Sequence, residues 1–432
     1  MLATQEYLKQ RRSELSTLMV NNSILILLSS ELQLRNSDVE WPLRQDSSFW
    51  YLTGINEEKS ALIITKDLEG AMTTTLFVNI KNLDEQIWTG PVMGADVAAE
   101  KSGITEVKAW SELLKLVQEI KVKGQTLYLD QLGSYSSIRN QINDQLYNRD
   151  AGRRGQPIPT VTKTASLINN LRLYKDELEI SQMQEASRIN VLAHQHAFQT
   201  IKSKIDLGQK VFEYEFQAEL ELVWRQHNCT WSYYPIVASG ESSTILHYNL
   251  NNKLIDPTSF LLVDAGCEYD YYACDITRCY HFGQPTDAQT QIYNLVKRAN
   301  LACIDHIASG RADMNSYHRL AVEVLTAGLT DLGILSGSLE SNIADRSCNK
   351  YFMHGVGHYL GLDVHDAGSY YDNQGQSQKI TTGMCLTVEP GLYFNKDDSC
   401  VPVEFRGIGV RIEDDILKTQ DGVINLTERL DK

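Results

Sequence analysis

The sequence predicts an N-terminal α/β domain followed by a C-terminal α+β domain. The chain has 432 residues, which is long enough for two hydrophobic cores. Short apolar runs alternate with helical segments in roughly the first third of the chain. The remainder is patterned as two helices and then strands, twice over. This repeated pattern indicates an internal duplication in which an antiparallel sheet faces helices.

The composition excludes some partners. The chain is 42% hydrophobic and 22% charged, which is typical of a globular protein, and its formal net charge of -15 argues against nucleic acid or an anionic membrane as the main partner. The apolar run Ile24–Leu28 is too short to span a bilayer, and no signal peptide or membrane anchor is visible. The 8 cysteines are scattered without a C-x-x-C pair. We therefore expect reduced thiols and a cytoplasmic protein.

The N-terminal segment contains strand-like and helical patterns but no chemical motif. Strands are predicted at Ser23–Leu28, Ser60–Thr65, Thr75–Val78 and Thr126–Leu129, and a helix at Trp110–Ile120. We find no metal constellation, glycine-rich phosphate loop or nucleophile elbow here. We expect this half to be architectural.

A polar stretch punctuated by glycine and proline, Asp150–Pro159, is the best candidate for the domain boundary. Helices are predicted after it from capping signals and apolar spacing. They begin near the capping pairs Asp176–Glu179 and Thr286–Gln289, and two others span Val211–His227 and Asn315–Leu332.

Two closely spaced strands with an aspartate in each dominate the C-terminal half. Phe260–Val263 and Tyr271–Thr277 are apolar runs that must form a hairpin. A two-residue turn at Tyr269-Asp270 would place Glu268 opposite Tyr271, and Asp264 opposite Asp275 on one face. Two carboxylates held that close repel each other unless a cation or a proton lies between them. The pair alone equally fits a solvated hairpin mouth.

Three later stretches are rich in residues that bind metals. Met353–Asp366 contains three histidines among glycines, Gly383–Tyr393 ends an apolar run with a glutamate, and Arg406–Asp415 has one charged strand face. The residues concerned are His354, His358, His365, Glu389, Arg411 and Glu413. Each alone has an ordinary explanation as a turn, core or solvated residue.

Together, these stretches favour a site for two divalent ions. Two aspartates, two glutamates and one histidine are the donor mix that first-row divalent metals prefer. Four carboxylates balance two dications, and a bridging hydroxide leaves a small negative surplus that Arg411 could offset. Paired cysteines, an H-E-x-x-H motif and a G-x-S-x-G elbow are absent from the sequence, which disfavours zinc fingers, zincins and serine hydrolases.

Taken together, these stretches resemble the metallopeptidases of the superfamily that contains aminopeptidase P, prolidase and methionine aminopeptidase. The likeness is greatest to aminopeptidase P of the bacterial type. It extends into the N-terminal half, where Arg35–Asp38, Arg44–Gly54 and Ile87–Gly90 resemble that family's N-terminal domain. The resemblance implies a creatinase-like domain over residues 1–170 and a pita-bread catalytic domain with a pseudo-twofold duplication over residues 171–432.

The resemblance also implies a ligand set. Asp264 and Asp275 would bind one metal together, with Asp275 bridging to the second. His358 and Glu389 would complete the second metal's set, and Glu413 would be the other bridge. The family suggests two Mn2+ ions per subunit, although the ligand set alone would accept Co, Fe or Zn.

The implied reaction is hydrolysis of the bond between an N-terminal residue and a penultimate proline, so the partners would be peptides with N-terminal Xaa-Pro. Glu389 would act as general base, and His354 would stabilise the tetrahedral intermediate. His247 and His365 match substrate-contacting histidines, and Arg411 and Tyr393 match residues that orient carboxylates and contact substrate. Trp88 resembles an aromatic residue that reaches a neighbouring subunit's active site, so a homotetramer, or failing that a homodimer, is expected.

Three alternatives are open at this stage: a prolidase confined to Xaa-Pro dipeptides, a non-catalytic peptide-binding relative, and a creatinase-type hydrolase. The intact ligand set disfavours the last two. Two departures from the family pattern stand out, namely Cys274 where a small residue is usual, and a longer loop at 370–378 without the arginine that relatives often have. Cys274 suggests metal loss on oxidation. The other histidines are interpreted as structural or surface residues, namely His194, His196, His227, His281, His306 and His318.

Overall fold

The structure is a computed structural model that describes residues 4–80, 83–119, 126–130, 134–146 and 160–432. It divides into two compact units, Met1–Leu171 and Arg172–Lys432. The predicted boundary stretch 150–159 lies outside the described residues. No helix in the described ranges is long and apolar enough to cross a membrane.

The N-terminal unit is built on a mixed sheet. Its strands are β1 (Ser23–Leu28), β2 (Leu34–Asn36), β3 (Val39–Glu40), β4 (Ala61–Lys66), β5 (Met72–Val78), β6 (Glu106–Ala109), β7 (Thr126–Tyr128) and β8 (Thr160–Thr162). Among the described residues, six of them are ordered β6-β5-β4-β1-β7-β8, and β2 pairs with β3. Every residue of β1 is buried, as its continuous apolar run predicts for a central strand.

Helices accompany this sheet. They are α1 (Gln5–Leu18), α2 (Ser47–Thr53), α3 (Leu83–Thr89), α4 (Gly94–Ser102), α5 (Leu113–Glu119) and α6 (Ser136–Leu146). The predicted helix at Trp110 begins as a 3-10 turn, Trp110–Glu112, before α5. Helix α7 (Ala165–Leu173) contains the boundary between the two units.

Two of the helices in the C-terminal unit begin where their capping signals predict. The helices of this unit are α8 (Glu177–Asp206), α9 (Glu213–Gln226), α10 (Asp287–Ala308), α11 (Ser316–Asp331) and α12 (Leu339–Ala344). Asp176 caps α8 with Glu179 returning the bond, and Thr286 with Gln289 does the same for α10. These reciprocal bonds satisfy backbone N–H groups that a helix start leaves without partners.

The strands of this unit form small antiparallel sheets. They are β9 (Thr230–Trp231), β10 (Ile236–Ser239), β11 (Leu261–Asp264), β12 (Cys267–Tyr269), β13 (Tyr272–Ala273), β14 (Thr277–Tyr280), β15 (Cys385–Val388), β16 (Gly391–Tyr393), β17 (Gly409–Arg411), β18 (Asp414–Thr419) and β19 (Gly422–Asn425). The sheet β10-β11-β14 follows α8 and α9, and the sheet β15-β18-β19 follows α10 and α11. The order of two helices and then strands therefore occurs twice, as predicted.

The predicted pairing of the aspartate hairpin is wrong. Tyr269 pairs with Tyr272, so the turn is Asp270-Tyr271, and Asp264 lies opposite Thr277 rather than Asp275. Both turn residues adopt positive φ, 45° and 74°, a conformation that aspartate favours in such turns but tyrosine rarely adopts. Asp264 therefore pairs two residues beyond its predicted partner, and a shift of two residues keeps a side chain on the same face of a strand. The two aspartates therefore still face the same side.

Candidate metal centre

Residues from distant parts of the C-terminal unit converge at one buried site. Asp275, His358 and Glu413 each offer a ligand atom, and these three atoms lie within 4.8 Å of one another. The Nε2 atom of His358 is 3.5 Å from a carboxylate oxygen of Asp275 and 3.5 Å from one of Glu389. The structure thus brings together four of the five predicted ligands directly.

The fifth predicted ligand, Asp264, joins the group through a tyrosine. The hydroxyl of Tyr233 lies 2.5 Å from Oδ1 of Asp264 and 2.5 Å from Oδ1 of Asp275. Because it carries a single hydrogen, the hydroxyl donates to one carboxylate at a time. Tyr233 thereby links carboxylates from the two sides of the hairpin.

The loop that carries His358 is held against strand β15. The backbone N–H of Thr387 donates to the carbonyl of His358 at 2.8 Å, and the N–H of His358 donates to Oγ1 of Thr387 at 3.1 Å. A Cβ at Gly357 would lie 2.0 Å from the carbonyl oxygen of Thr387. Glycine at this position therefore permits the close approach that sets His358 beside Glu389 at the end of β15.

Arg411 connects three polar groups of the site. Its guanidinium donates to Oδ2 of Asp264 at 2.5 Å, to the hydroxyl of Tyr393 at 2.9 Å and to Oγ1 of Thr277 at 3.1 Å. Thr277 in turn donates to Oε2 of Glu413 at 2.7 Å. One buried cation thus orients Asp264 directly and Glu413 through Thr277.

His354 lies at the edge of this network. Its Nε2 is 2.8 Å from the hydroxyl of Tyr393, and its Nδ1 is 2.7 Å from the carbonyl of Gly355. The carbonyl can only accept, so we assign the hydrogen to Nδ1 and let Nε2 accept from Tyr393. Burial lowers the pKa of His354 to about 4, so the ring is neutral near pH 7.

The remaining predicted residues differ in their distance from the centre. The ring of His365 is 4.2 Å from the ring of His358, centroid to centroid. Burial lowers the pKa of His365 as it does that of His354, and the charge of the nearby, exposed His247 adds to both shifts. Trp88 lies on α3 of the N-terminal unit and is 88% exposed.

Burial sets the electrostatics of the centre. It raises the pKa of Glu389 to about 7, and it also raises the pKa of Asp264 and Glu413 above the usual range. Burial opposes protonation of His358, but Asp275 and Glu389 together raise its pKa to about 9. Carboxyl groups that are buried close together resist ionisation, so a bound cation would stabilise their ionised forms strongly. This donor set of carboxylate oxygens and one imidazole fits a divalent metal ion.

Comparisons with known proteins agree with a metal-binding site. Residues 8–128 match the model of the aminopeptidase P N-terminal domain, and residues 181–420 match that of metallopeptidase family M24. The chain belongs to metallopeptidase family M24. It is 34% identical to the Xaa-Pro aminopeptidase of Escherichia coli and 34% identical to that of Haemophilus influenzae, in each case over 99% of this chain and 95% of the relative.

Solved structures extend the likeness of this M24 protein to its fold. Zinc-substituted E. coli aminopeptidase P in complex with product matches with a TM-score of 0.90 and 33% identity, over 100% of this chain and 97% of that one. Proline aminopeptidase P II from Yersinia pestis matches equally well, with the same TM-score, identity and coverage. The predicted fold class, a creatinase-like domain followed by a pita-bread domain, is confirmed.

Sequence reasoning missed several residues of this M24 site. Tyr233 and Thr277 contact predicted ligands, and Oδ2 of Asp415 accepts the backbone N–H of Asp275 at 3.0 Å. Thr277 and Asp415 each follow a predicted ligand by two residues, so strand alternation could have indicated them. Nothing in the sequence near Tyr233 points to the site.

The structure describes the surroundings of both departures from the family pattern, Cys274 and the loop at 370–378. The thiol of Cys274 is fully buried, and burial raises its pKa well above the ordinary value. The long loop carries Tyr370, which lines a cleft of about 430 Å³ together with Tyr317, His318, Phe352 and His354. The M24 centre therefore opens, at His354, onto a cleft that this loop borders.

Proposed function

We propose that this protein is a dimetal Xaa-Pro aminopeptidase, which hydrolyses the bond between an N-terminal residue and a penultimate proline. One observation carries the proposal. A buried cluster of carboxylates and His358 lies in a chain whose full length is similar to proteins named Xaa-Pro aminopeptidase. That similarity includes the N-terminal domain, which supports this activity over the other reactions known in the superfamily.

Two divalent ions, Mn2+ by resemblance, are the proposed cofactors. Asp264, Asp275, His358, Glu389 and Glu413 would hold them. When bound, such ions lower the pKa of water and polarise the scissile carbonyl. Burial raises the pKa of Asp264, Glu389 and Glu413, which supports this assignment because added positive charge would favour the ionised form of all three.

The side chains around the centre have separate proposed roles. Glu389 accepts a proton from the attacking water, because its carboxylate lies at the centre and faces His358. His354 donates a hydrogen bond to the oxygen of the tetrahedral intermediate, after reorienting from its present partners, Gly355 and Tyr393. Arg411 favours the ionised form of Asp264 and orients its carboxylate.

Substrate binding is assigned to groups at the rim. His247 and His365 flank the centre and would contact the first residue and the proline. Tyr393 would contact the substrate beside His354, and its hydroxyl is fixed by a hydrogen bond from Arg411. The cleft beside Tyr370 would receive the residues that follow the proline.

The oligomer and the compartment are further parts of the proposal. Ile87 and Trp88 are 80% and 88% exposed on one short helix, which supports a contact with a neighbouring subunit in a homotetramer or homodimer. Seven of the eight cysteines are buried and all are free, which supports a reducing compartment such as the cytoplasm.

The test is hydrolysis of an Xaa-Pro-Xaa tripeptide by protein stripped of metal and then given Mn2+. We expect metal-dependent release of the first residue, and we expect Asp275→Asn to abolish it. Asp397→Asn, which changes an exposed carboxylate, should retain full activity and serves as the matched control. Turnover of Xaa-Pro dipeptides without turnover of the tripeptide would indicate a prolidase instead. Metal binding without hydrolysis of either peptide would contradict the proposed activity.

A further inference from the structure

Two side chains of helix α8 hold the carbonyl group of the residue that follows Asp264. Nδ2 of Asn190 donates to the carbonyl oxygen of Ala265 at 2.8 Å, and Nε2 of His194 lies 3.0 Å from the same oxygen. Asn190, His194 and Ala265 are all fully buried. Both lone pairs of this carbonyl are therefore engaged by one helix.

Further buried groups fix the orientation of these two side chains. Nε1 of Trp224 donates to Oδ1 of Asn190 at 3.0 Å, so the amide of Asn190 must point its nitrogen at Ala265. The hydroxyl of Tyr280 lies 2.9 Å from Nδ1 of His194. Burial lowers the pKa of His194 to about 4, so the ring is neutral and carries one hydrogen. That hydrogen lies on Nε2, which faces the carbonyl, and Tyr280 donates to Nδ1.

The same residue, Ala265, also links the two aspartate segments through its backbone N–H. The backbone N–H of Ala265 donates to the carbonyl of Ile276 at 3.0 Å. Ala265 is adjacent to Asp264, and Ile276 is adjacent to Asp275. The segment at Ala265 thus has its N–H tied to the second aspartate segment and its C=O tied to helix α8. Rotation of this segment would change the separation of the two carboxylates.

We propose that Asn190 and His194 are positioning residues that preorganise Asp264 against Asp275 for metal binding. The proposal rests on these aspartates being metal ligands, as proposed above. The carboxylates of Asp264 and Asp275 both lie 2.5 Å from the Tyr233 hydroxyl, so they repel each other when both are ionised, and the hairpin around them contains only short strands. A fixed carbonyl opposes that separation. The ordering of the ligands is then complete before the ion arrives, and metal affinity is higher as a result.

Calorimetric titration of the metal-free protein with Mn2+ tests this proposal without measuring catalysis. Asn190→Leu and His194→Phe remove a donor to Ala265 while keeping a buried side chain. Each is expected to weaken Mn2+ binding by about 10- to 100-fold, the range for partners that orient metal ligands. His194→Gln retains an N–H that can reach the carbonyl and is expected to restore most of the affinity.

A control on the same helix separates positioning from general destabilisation. Ile201 is fully buried on α8, is apolar and belongs to the same core cluster as Ala265. Ile201→Ala should lower the melting temperature while leaving the affinity within about twofold of the unmodified protein. Equal affinity in Asn190→Leu, His194→Phe and Ile201→Ala at similar melting temperatures would overturn the proposal.

A milder variant covers the case in which these substitutions prevent folding. Tyr280→Phe keeps the ring that stacks on Phe198, but it removes the hydroxyl that fixes the His194 ring. A several-fold loss of Mn2+ affinity is expected, and unchanged affinity would overturn the proposal. Failure of the unmodified protein to bind Mn2+ would instead contradict the proposed function.

Discussion

The guanidinium of Arg411 lies 2.5 Å from Oδ2 of Asp264, and both side chains are largely buried in the metal centre. The guanidinium forms an ion pair with Asp264, and its other two nitrogens donate to Thr277 and Tyr393. Lysine has one nitrogen on a flexible stem and cannot replace three directed donors.

Arg411→Lys should therefore reduce kcat/KM by at least about tenfold, a loss expected when a group that orients metal ligands is changed. We also expect weaker Mn2+ binding, because Asp264 would lose its fixed orientation. Steady-state kinetics on a tripeptide and calorimetric metal titration measure the two effects. Arg406→Lys is the control, because Arg406 bonds to backbone carbonyls of its own loop. Equal kinetics in the two variants would contradict this role for Arg411.

Tyr233→Phe removes the hydroxyl that lies between Asp264 and Asp275. In the metal-free protein this change should lower the free energy of unfolding by about 1–3 kcal/mol, since a buried carboxylate loses a hydrogen-bond donor. Denaturant unfolding of the metal-free protein measures the loss. Tyr234→Phe provides the comparison, because the neighbouring Tyr234 is 49% exposed. A loss no larger than that of Tyr234→Phe would count against a bridging role for the hydroxyl.

The stability of the metal-free protein should depend on pH through Glu389. Burial raises the pKa of this carboxyl from 4.5 to about 7. Between pH 4.5 and about pH 7, the folded state retains a proton on Glu389 that the unfolded state has released, so stability falls as pH rises. The loss should approach about 3 kcal/mol above pH 7.

Glu389→Gln should remove this dependence, and unfolding of both proteins at pH 5 and pH 8 measures it. The stability difference between variant and unmodified protein should therefore grow with pH in the absence of metal. Saturating Mn2+ should reduce the difference, because the bound cation favours the ionised carboxylate. A difference that is constant across this range would refute the electrostatic explanation.

Thiol chemistry should distinguish Cys400 from the other cysteines. Cys400 is exposed and the other seven are buried. Burial raises the pKa of Cys274 well above its ordinary value, so its reactive thiolate is scarce. An aromatic disulfide reagent should label one thiol in the folded protein, and Cys400→Ser should abolish that labelling. Rapid labelling of Cys274 with release of metal would instead support oxidation as a route to metal loss.

Local features of the fold were predictable from the sequence, and long-range contacts were not. Capping pairs such as Asp176–Glu179 act over one turn, so their residues alone identify the start of a helix. The hairpin pairing was wrong because the turn places Tyr271 at a positive φ, which tyrosine rarely adopts. The predicted ligands nevertheless converge because the displacement preserves the face of the strand.

Three residues that surround the predicted ligands could not be identified from the sequence. Tyr233, Asn190 and His194 contact the hairpin across tertiary distances, and no periodicity in their own segments indicates those contacts. Their roles depend on which element packs against which. Propensity and spacing within one segment carry no information about that arrangement.

The hydrogen bond between Thr277 and Glu413 joins positions 136 residues apart in the chain. Contacts of such high sequence separation form late, because a long loop must close before they bring any stabilisation. On refolding from denaturant, helical circular dichroism should therefore recover in an early phase, well before peptidase activity. The active centre would be among the last parts of the molecule to mature, and a partly folded chain would have no proteolytic activity.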